Sequence, residues 1–379
     1  MTGTPRLRGW AFVHRWSSLV CTLFLLMLCL TGLPLIFHDE IDDMAGDSPF
    51  AAEGPAQTAS MDELAAMVRQ AYPGRRIQFV AWLEQEGTYR FGLTRPRDGG
   101  AQVQPFALVD GRHARIVGGA WSEKDWRHGG VMSFLLRLHT DMLAGTAGSL
   151  ALAAMGLLFL VALVSGVVLY APFMRKLPFG TVRYGRSRAL RWLDLHNLLG
   201  IATLAWAAVV GITGIVNTLD TFVFQAFQAR IDERSRARPA PSEGAAAAGG
   251  IGLQQAVDAA LRALPDGKVD MVAFPGSMFA GARHFVVYLT GSTPLTSRLL
   301  QPVVVDAASG EVDEVEAPPW YLWALEGARP LHFGDYGGLP LKVIWALLDV
   351  ISIVVLGSGV YLWLRRVRGR RGRAPAHGG

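Results

Sequence analysis

The chain has 379 residues, 51% of them hydrophobic, with 36 Lys and Arg against 31 Asp and Glu, nine histidines and two cysteines. Long uncharged apolar runs place much of it in lipid, which excludes a wholly soluble enzyme, and the positive excess hugs the ends of those runs, which makes nucleic-acid binding the poorer reading. Both cysteines, Cys21 and Cys29, lie inside one apolar run, so no disulfide framework and no zinc or iron–sulfur ligand set is available, and without a C-x-x-C-H motif covalent c-type haem is excluded.

In chain order, residues 1–38 hold the N-terminus and a first span over 12–37, too long for a signal-peptide core and read as a retained anchor. Residues 39–130 form a first outer domain. Its helix over 60–72 opens on a Ser60/Glu63 capping box and runs into a Pro73-Gly74 turn, with strands from Ile77 to Leu83, Tyr89 to Thr94 and Phe106 to Asp110. The second span occupies 131–171, with its apolar part from 143, and 172–191 is a loop carrying Arg175, Lys176, Arg183, Arg186, Arg188 and Arg191. The third span and an extension fill 192–228, and 229–250 is a linker, Ala-, Pro- and Gly-rich from Pro239 to Gly250. The second outer domain, 251–330, repeats the first, with a helix over 252–264, a Pro265-Asp266-Gly267 turn, and strands from Val269 to Phe274, His284 to Thr290 and Pro302 to Asp306. The fourth span covers 331–364, and 365–379 is a tail with six arginines. Basic short loops stay in the cytoplasm. Both termini and the central loop are therefore expected inside a bacterial inner membrane, with two domains in the periplasm.

The fold expected is an α-helical membrane protein of four transmembrane helices in a tandem 2+2 repeat, with two small α+β domains outside. Two separations carry the repeat: His14 to Gly32 and His196 to Gly214 are both eighteen residues, and His139 to Ser165 and His332 to Ser358 are both twenty-six. Copies in the same orientation imply a pseudo-two-fold axis along the membrane normal.

That repeat selects four of the nine histidines. His14 matches His196 at the cytoplasmic ends of the first and third spans, and His139 matches His332 at the outer ends of the second and fourth. A cofactor on the axis would receive two imidazoles at each face, and imidazole is a good ligand for haem iron. The competing reading places histidines at helix ends in the headgroup region. Thr31-Gly32, Thr213-Gly214, Ser165-Gly166 and Ser358-Gly359 read as small packing residues. His38 ends the first span, and its repeat counterpart is Asp220, so it is an unmatched candidate ligand. Trp121, Trp126, Trp320 and Trp323 read as an interfacial aromatic belt or as a docking surface beside the outer site. Gly250-Ile-Gly252 follows a linker and no strand, so it is not a nucleotide loop.

Val13-His14-Arg15-Trp16 leading to Leu30-Thr31-Gly32-Leu33, Leu195-His196-Asn197 leading to Ile212-Thr213-Gly214, and the outer domains with Val304-Val305-Asp306 before Gly310-Glu311-Val312 resemble the PepSY-associated transmembrane proteins over nearly the whole chain. Among them the resemblance is to the ferric-siderophore reductases of the FoxB type. It implies two haem b groups held by His14, His196, His139 and His332, and single-electron delivery in the periplasm to an Fe(III)-siderophore that releases Fe(II). No flavin or nicotinamide site is visible, so the electron donor would be a separate protein or a membrane quinol. No side chain has a catalytic role beyond holding the haems. The alternative is a non-enzymatic, membrane-anchored PepSY binding or regulatory protein.

Overall fold

The computed structural model describes residues 5–44, 59–83, 87–94, 106–119, 131–174, 178–237, 250–277, 279–293, 296, 299–315 and 319–371. These fall into two compact units, one built from the apolar helices and one from the strands.

The first unit holds four helices long and apolar enough to cross a membrane: α1 (Pro5–Ile36), α5 (Gly145–Met174), α6 (Arg188–Thr218) and α10 (Gly338–Arg371). A helix satisfies every backbone polar group internally, as lipid requires. Hydroxyls inside the spans do the same, with Thr22 bonding to Ser18 O at 2.6 Å and Thr203 to Leu199 O at 2.9 Å. Helix α1 packs on α5 and α10, and α6 packs on the same two, so the four close into a ring. Its buried residues are mostly small (Ser17, Cys21, Thr22 and Thr31 on α1; Thr203, Ala207 and Thr213 on α6), which lets the backbones approach where no hydrophobic effect drives them together. The loop before α6 is pinned to it by a two-pronged ion pair from Arg183 to Asp194, at 2.8 and 2.7 Å.

Two shorter helices precede the second and fourth spans as separate elements. Helix α4 (Val131–Asp141) carries His139, and α9 (Trp320–Phe333) carries His332. The expected continuous span from 131 therefore breaks. Met142 and Leu143 take positive φ values of 53° and 60°, and the Asp141 carboxylate accepts from Leu143 N at 2.8 Å. Helix α5 then starts so close to Asp141 that a Cβ on Gly148 would collide with its carbonyl oxygen. After α9 the reversal is made by Gly334 at φ 81°, a conformation that costs glycine nothing.

The second unit is one eight-stranded antiparallel sheet in the order β4-β3-β2-β1-β5-β6-β7-β8. Its strands are β1 (Ile77–Trp82), β2 (Thr88–Leu93), β3 (Phe106–Asp110), β4 (Arg115–Gly119), β5 (Lys268–Ala273), β6 (His284–Thr290), β7 (Leu300–Asp306) and β8 (Val312–Val315). The two outer domains expected as separate modules are thus halves of a single sheet, joined where β1 pairs with β5 through Val80 and Val272. Helices α3 (Met61–Ala71) and α8 (Leu253–Ala263) share one core against that sheet, around Leu64, Val68, Val80, Phe91, Leu253, Ala260 and Val272. The Ser60/Glu63 capping box of α3 is present. Helix α8 has only Gly252 at its N-cap, and Asp62 of the other half takes over, accepting from Leu253 N at 2.6 Å and Gln254 N at 3.3 Å. A side chain on Gly252 would collide with that carboxylate, its Cβ 2.5 Å from Oδ2, which gives the Gly250-Ile-Gly252 segment a packing role. Helix α7 (Asp220–Ala237) puts Phe227 among Tyr288, Val286 and Leu322 on the opposite face of the strands. The expected linker from 229 is accordingly helical to Ala237, and 238–249 lie outside the described residues.

Candidate functional site

The structure brings the four repeat-matched histidines together in two pairs at opposite ends of the helical unit. The rings of His14 and His196 have centroids 6.4 Å apart and planes at 71°; those of His139 and His332 are 6.2 Å apart at 68°.

Each ring is held by the same local device. His14 Nδ1 lies 2.9 Å from Ala162 O and 3.2 Å from Ser165 Oγ. His196 Nδ1 lies 3.1 Å from Val355 O and 2.8 Å from Ser358 Oγ. At the other end His332 Nδ1 lies 3.1 Å from Val210 O and 3.2 Å from Thr213 Oγ1, while His139 Nδ1 lies 2.9 Å from Thr31 Oγ1 and its ring bonds to the Leu28 backbone. A carbonyl oxygen only accepts, so Nδ1 carries the proton on all four rings and Nε2 keeps its lone pair. The hydroxyls have their own protons committed along the helix, as in Ser165 to Val161 O at 2.7 Å and Thr213 to Val209 O at 2.7 Å, leaving their oxygens free to accept from Nδ1.

A glycine stands beside each hydroxyl, and at three of the four sites a side chain there would crowd the ring. A Cβ on Gly32 would stand 3.1 Å from His139 Cε1, on Gly166 3.2 Å from His14 Cε1, on Gly214 3.1 Å from His332 Cε1, and on Gly359 3.5 Å from His196 Cε1. The Thr-Gly and Ser-Gly pairs, expected to serve helix packing, are the seats of the histidines. Their equal spacing in the two copies was the available signal; which histidine each seats depends on helix neighbours that spacing does not give.

The pair geometry tests what could be held. An imidazole nitrogen lies about 2.0 Å from a bound transition metal and about 1.1 Å from its ring centre, so imidazoles on opposite sides of one metal hold their centres about 6.2 Å apart. Both pairs meet that separation. Two nitrogens do not complete the shell of a bare transition ion, which takes four or more donors. The one three-residue His/Asp cluster of metal-holding spacing among the described residues is elsewhere, in the sheet unit. The pairs therefore suit a metal that brings its own equatorial donors, as haem does. Arg15, next to His14 in the chain, lays its guanidinium over the exposed rings of Phe12 and Trp16, at 5.9 and 5.7 Å.

The other sequence candidates fall elsewhere. His38 is exposed at the start of α2 (His38–Met44), its Nδ1 3.0 Å from Leu35 O, and joins neither pair. His113 bonds to Asp110 at 2.7 Å and His284 to Asp313 at 2.7 Å, both in the sheet unit. Asp306, beside His284, accepts from Ala308 N and Ser309 N at 2.9 and 2.8 Å and faces Arg283 at 3.5 Å, so that cluster is committed to the turn between β7 and β8. Trp320 and Trp323 are exposed, while Trp121, Trp126, His128 and His377 lie outside the described residues.

Fold and site together define a class: a membrane protein of duplicated four-helix architecture with a pair of imidazoles at each end of the helical unit, and an antiparallel sheet unit to which both copies contribute four strands. The family model for the PepSY-associated TM region matches residues 11–366, and the chain belongs to that family. A Pseudomonas aeruginosa relative, named Uncharacterized protein PA4219, is 26% identical over 266 residues, covering 62% of this chain and 64% of its own length, so the match spans less than two thirds of that relative.

Proposed function

We propose that the chain is an inner-membrane di-haem reductase that moves single electrons from a cytoplasmic or membrane donor, a protein or a quinol, to an Fe(III)-siderophore in the periplasm. The observation that carries this reading is the pair of imidazole pairs, spaced at 6.4 and 6.2 Å with every Nδ1 tied down. A haem b bound at each pair supplies a one-electron Fe(III)/Fe(II) couple near each membrane face. His14 and His196 are the ligands on one side, His139 and His332 on the other. The backbone carbonyls and the Ser and Thr hydroxyls orient the rings and fix the tautomer, as outer partners of metal-bound histidines do. Arginines in the central loop and the tail set the cytoplasmic side by the rule that basic loops stay inside, which puts the His139/His332 pair towards the periplasm. Reduction of a siderophore's iron there weakens its hard-oxygen chelate and frees Fe(II).

The test is a visible absorption spectrum of the purified full-length protein expressed with adequate haem, with the haem-to-protein ratio. Two haems per chain are expected. His14→Ala or His196→Ala should remove one haem's spectrum and spare the other, with the reciprocal loss for His139→Ala or His332→Ala. A colourless protein, or unchanged spectra in all four variants, would overturn the reading and leave the sheet unit as a binding module on a membrane anchor.

A further inference from the structure

The duplication makes two helix interfaces equivalent, α1 with α10 and α6 with α5. Cys29 lies fifteen residues after His14, as Gly211 does after His196, and Asp349 lies seventeen after His332, as Gly156 does after His139. One interface therefore carries two glycines where the other carries a thiol and a carboxyl. The glycine interface is closely packed: a Cβ would stand 2.7 Å from Ile215 Cγ1 at Gly156 and 3.0 Å from Phe159 Cδ1 at Gly211. Apolar contact alone thus satisfies this architecture, and the carboxyl is not needed to build it.

Asp349 is 7% exposed and hydrogen-bonds to Cys29. Its Oδ2 is buried and has no hydrogen-bond partner among the described residues. Trp206, on α6 between His196 and Thr213, has a second buried unpartnered atom, its Nε1. An ionisable side chain within a span is costly to keep and marks the path of an ion or a proton. Along the chain Asp349 falls between His332 and Ser358, the seat of His196, and its partner Cys29 adjoins Leu28, whose backbone holds His139. The carboxyl is therefore tied to helix segments that hold both imidazole pairs.

We propose that Asp349 is a redox-linked proton-binding group. When an electron from the donor, a quinol or a reduced protein, enters the helical unit, the Asp349 carboxylate takes one proton from water and forms an O–H bond. When that electron leaves to Fe(III), the proton is released. An electron entering a low-dielectric bundle adds one negative charge, and a proton taken up beside it restores neutrality. This inference rests on the proposed electron-carrying function.

The groups that could share such a role are few. After His14, α1 brings Arg15, Cys21 and Cys29, and α6 brings no titratable side chain between His196 and Thr218. The turn over Asp335–Gly337 packs on the start of α10 and brings Tyr336, and α10 itself brings Lys342, 8% exposed, two turns before Asp349.

The experiment is a redox titration of the purified, haem-loaded full-length protein, followed by visible absorption at several pH values. In the wild type a haem midpoint should fall as pH rises, with a limit of about 59 mV per tenfold change in proton activity for one proton per electron. Asp349→Asn should flatten that slope, and Asp349→Glu should restore it. A flat wild type, or a slope that survives in Asp349→Asn, overturns the proposal. If Asp349→Asn does not load haem, redox-difference infrared spectroscopy of the wild type decides: a carboxylic C=O band that appears on reduction and shifts with ¹³C-labelled Asp supports the assignment, and its absence overturns it. Colourless wild-type protein overturns the reductase reading and this one together, whereas coloured protein with flat potentials overturns this one alone.

Discussion

Replacing Gly214 by Ala perturbs one histidine seat by a single methyl group. The new Cβ would stand 3.1 Å from His332 Cε1, whereas carbon–carbon contacts relax at about 3.5–4.0 Å, so the ring must retreat by about 0.4 Å or more. It cannot do so freely, because Nδ1 is bonded to Val210 O and Thr213 Oγ1 on the same helix at 3.1 and 3.2 Å. Overpacking of this kind costs about 1–3 kcal/mol, against about 1 kcal/mol gained by Ala over Gly in a helix. The balance is a loss of about 0–2 kcal/mol at that site, a weakening of haem binding of about fivefold near its middle. Gly359→Ala is the internal control. Its Cβ meets His196 Cε1 at 3.5 Å, an ordinary contact, so only the helix gain remains and loading at the His14/His196 pair should be unchanged. Haem titration at limiting haem, with difference spectra separating the two sites, measures both. Equal behaviour of the two variants would refute the idea that these glycines are seats for the rings and return them to general helix packing.

The sheet unit offers two further tests. Asp62→Ala removes the carboxylate that caps α8, which should cost about 1–2 kcal/mol, read as an earlier thermal transition with haem spectra intact. Unchanged melting would show the contact to be incidental. Burial by itself would raise the Asp306 pKa, but the N–H groups of Ser309 and Ala308, the Ser309 hydroxyl and His284 overcome it and hold the carboxyl below its ordinary value. A depressed folded pKa means this stabilisation is complete above the ordinary carboxylate range and is lost as pH falls through the folded value. Asp306→Asn should therefore destabilise the protein near neutrality, with the difference from wild type shrinking in acid; a constant difference down the acid limb of a denaturation series would contradict that.

Much of the site was legible because duplication preserved spacing. His14, His196, His139 and His332 stood out since random histidines do not recur at matched separations from Thr-Gly and Ser-Gly. His38 failed the same criterion, and it sits exposed and apart. The breaks after His139 and His332 were less visible, because Met142 and Leu143 adopt positive φ without the glycine or asparagine that would advertise it. The merged sheet was hidden for a different reason. Pairing of β1 with β5 joins segments far apart in sequence, and a strand's own pattern does not say which edge it will find.

Local chemistry thus fixed the elements: apolar length made the spans, alternation made the strands, and the Ser60/Glu63 box started α3. Equal spacing fixed which residues correspond. Only the tertiary structure decided that a hydroxyl and a carbonyl on a neighbouring helix hold each ring, that Nε2 thereby keeps its lone pair, and that Asp62 of one half caps a helix of the other. These are contacts between residues more than a hundred positions apart, set by which helices and strands become neighbours, and one-dimensional periodicity carries no record of that choice.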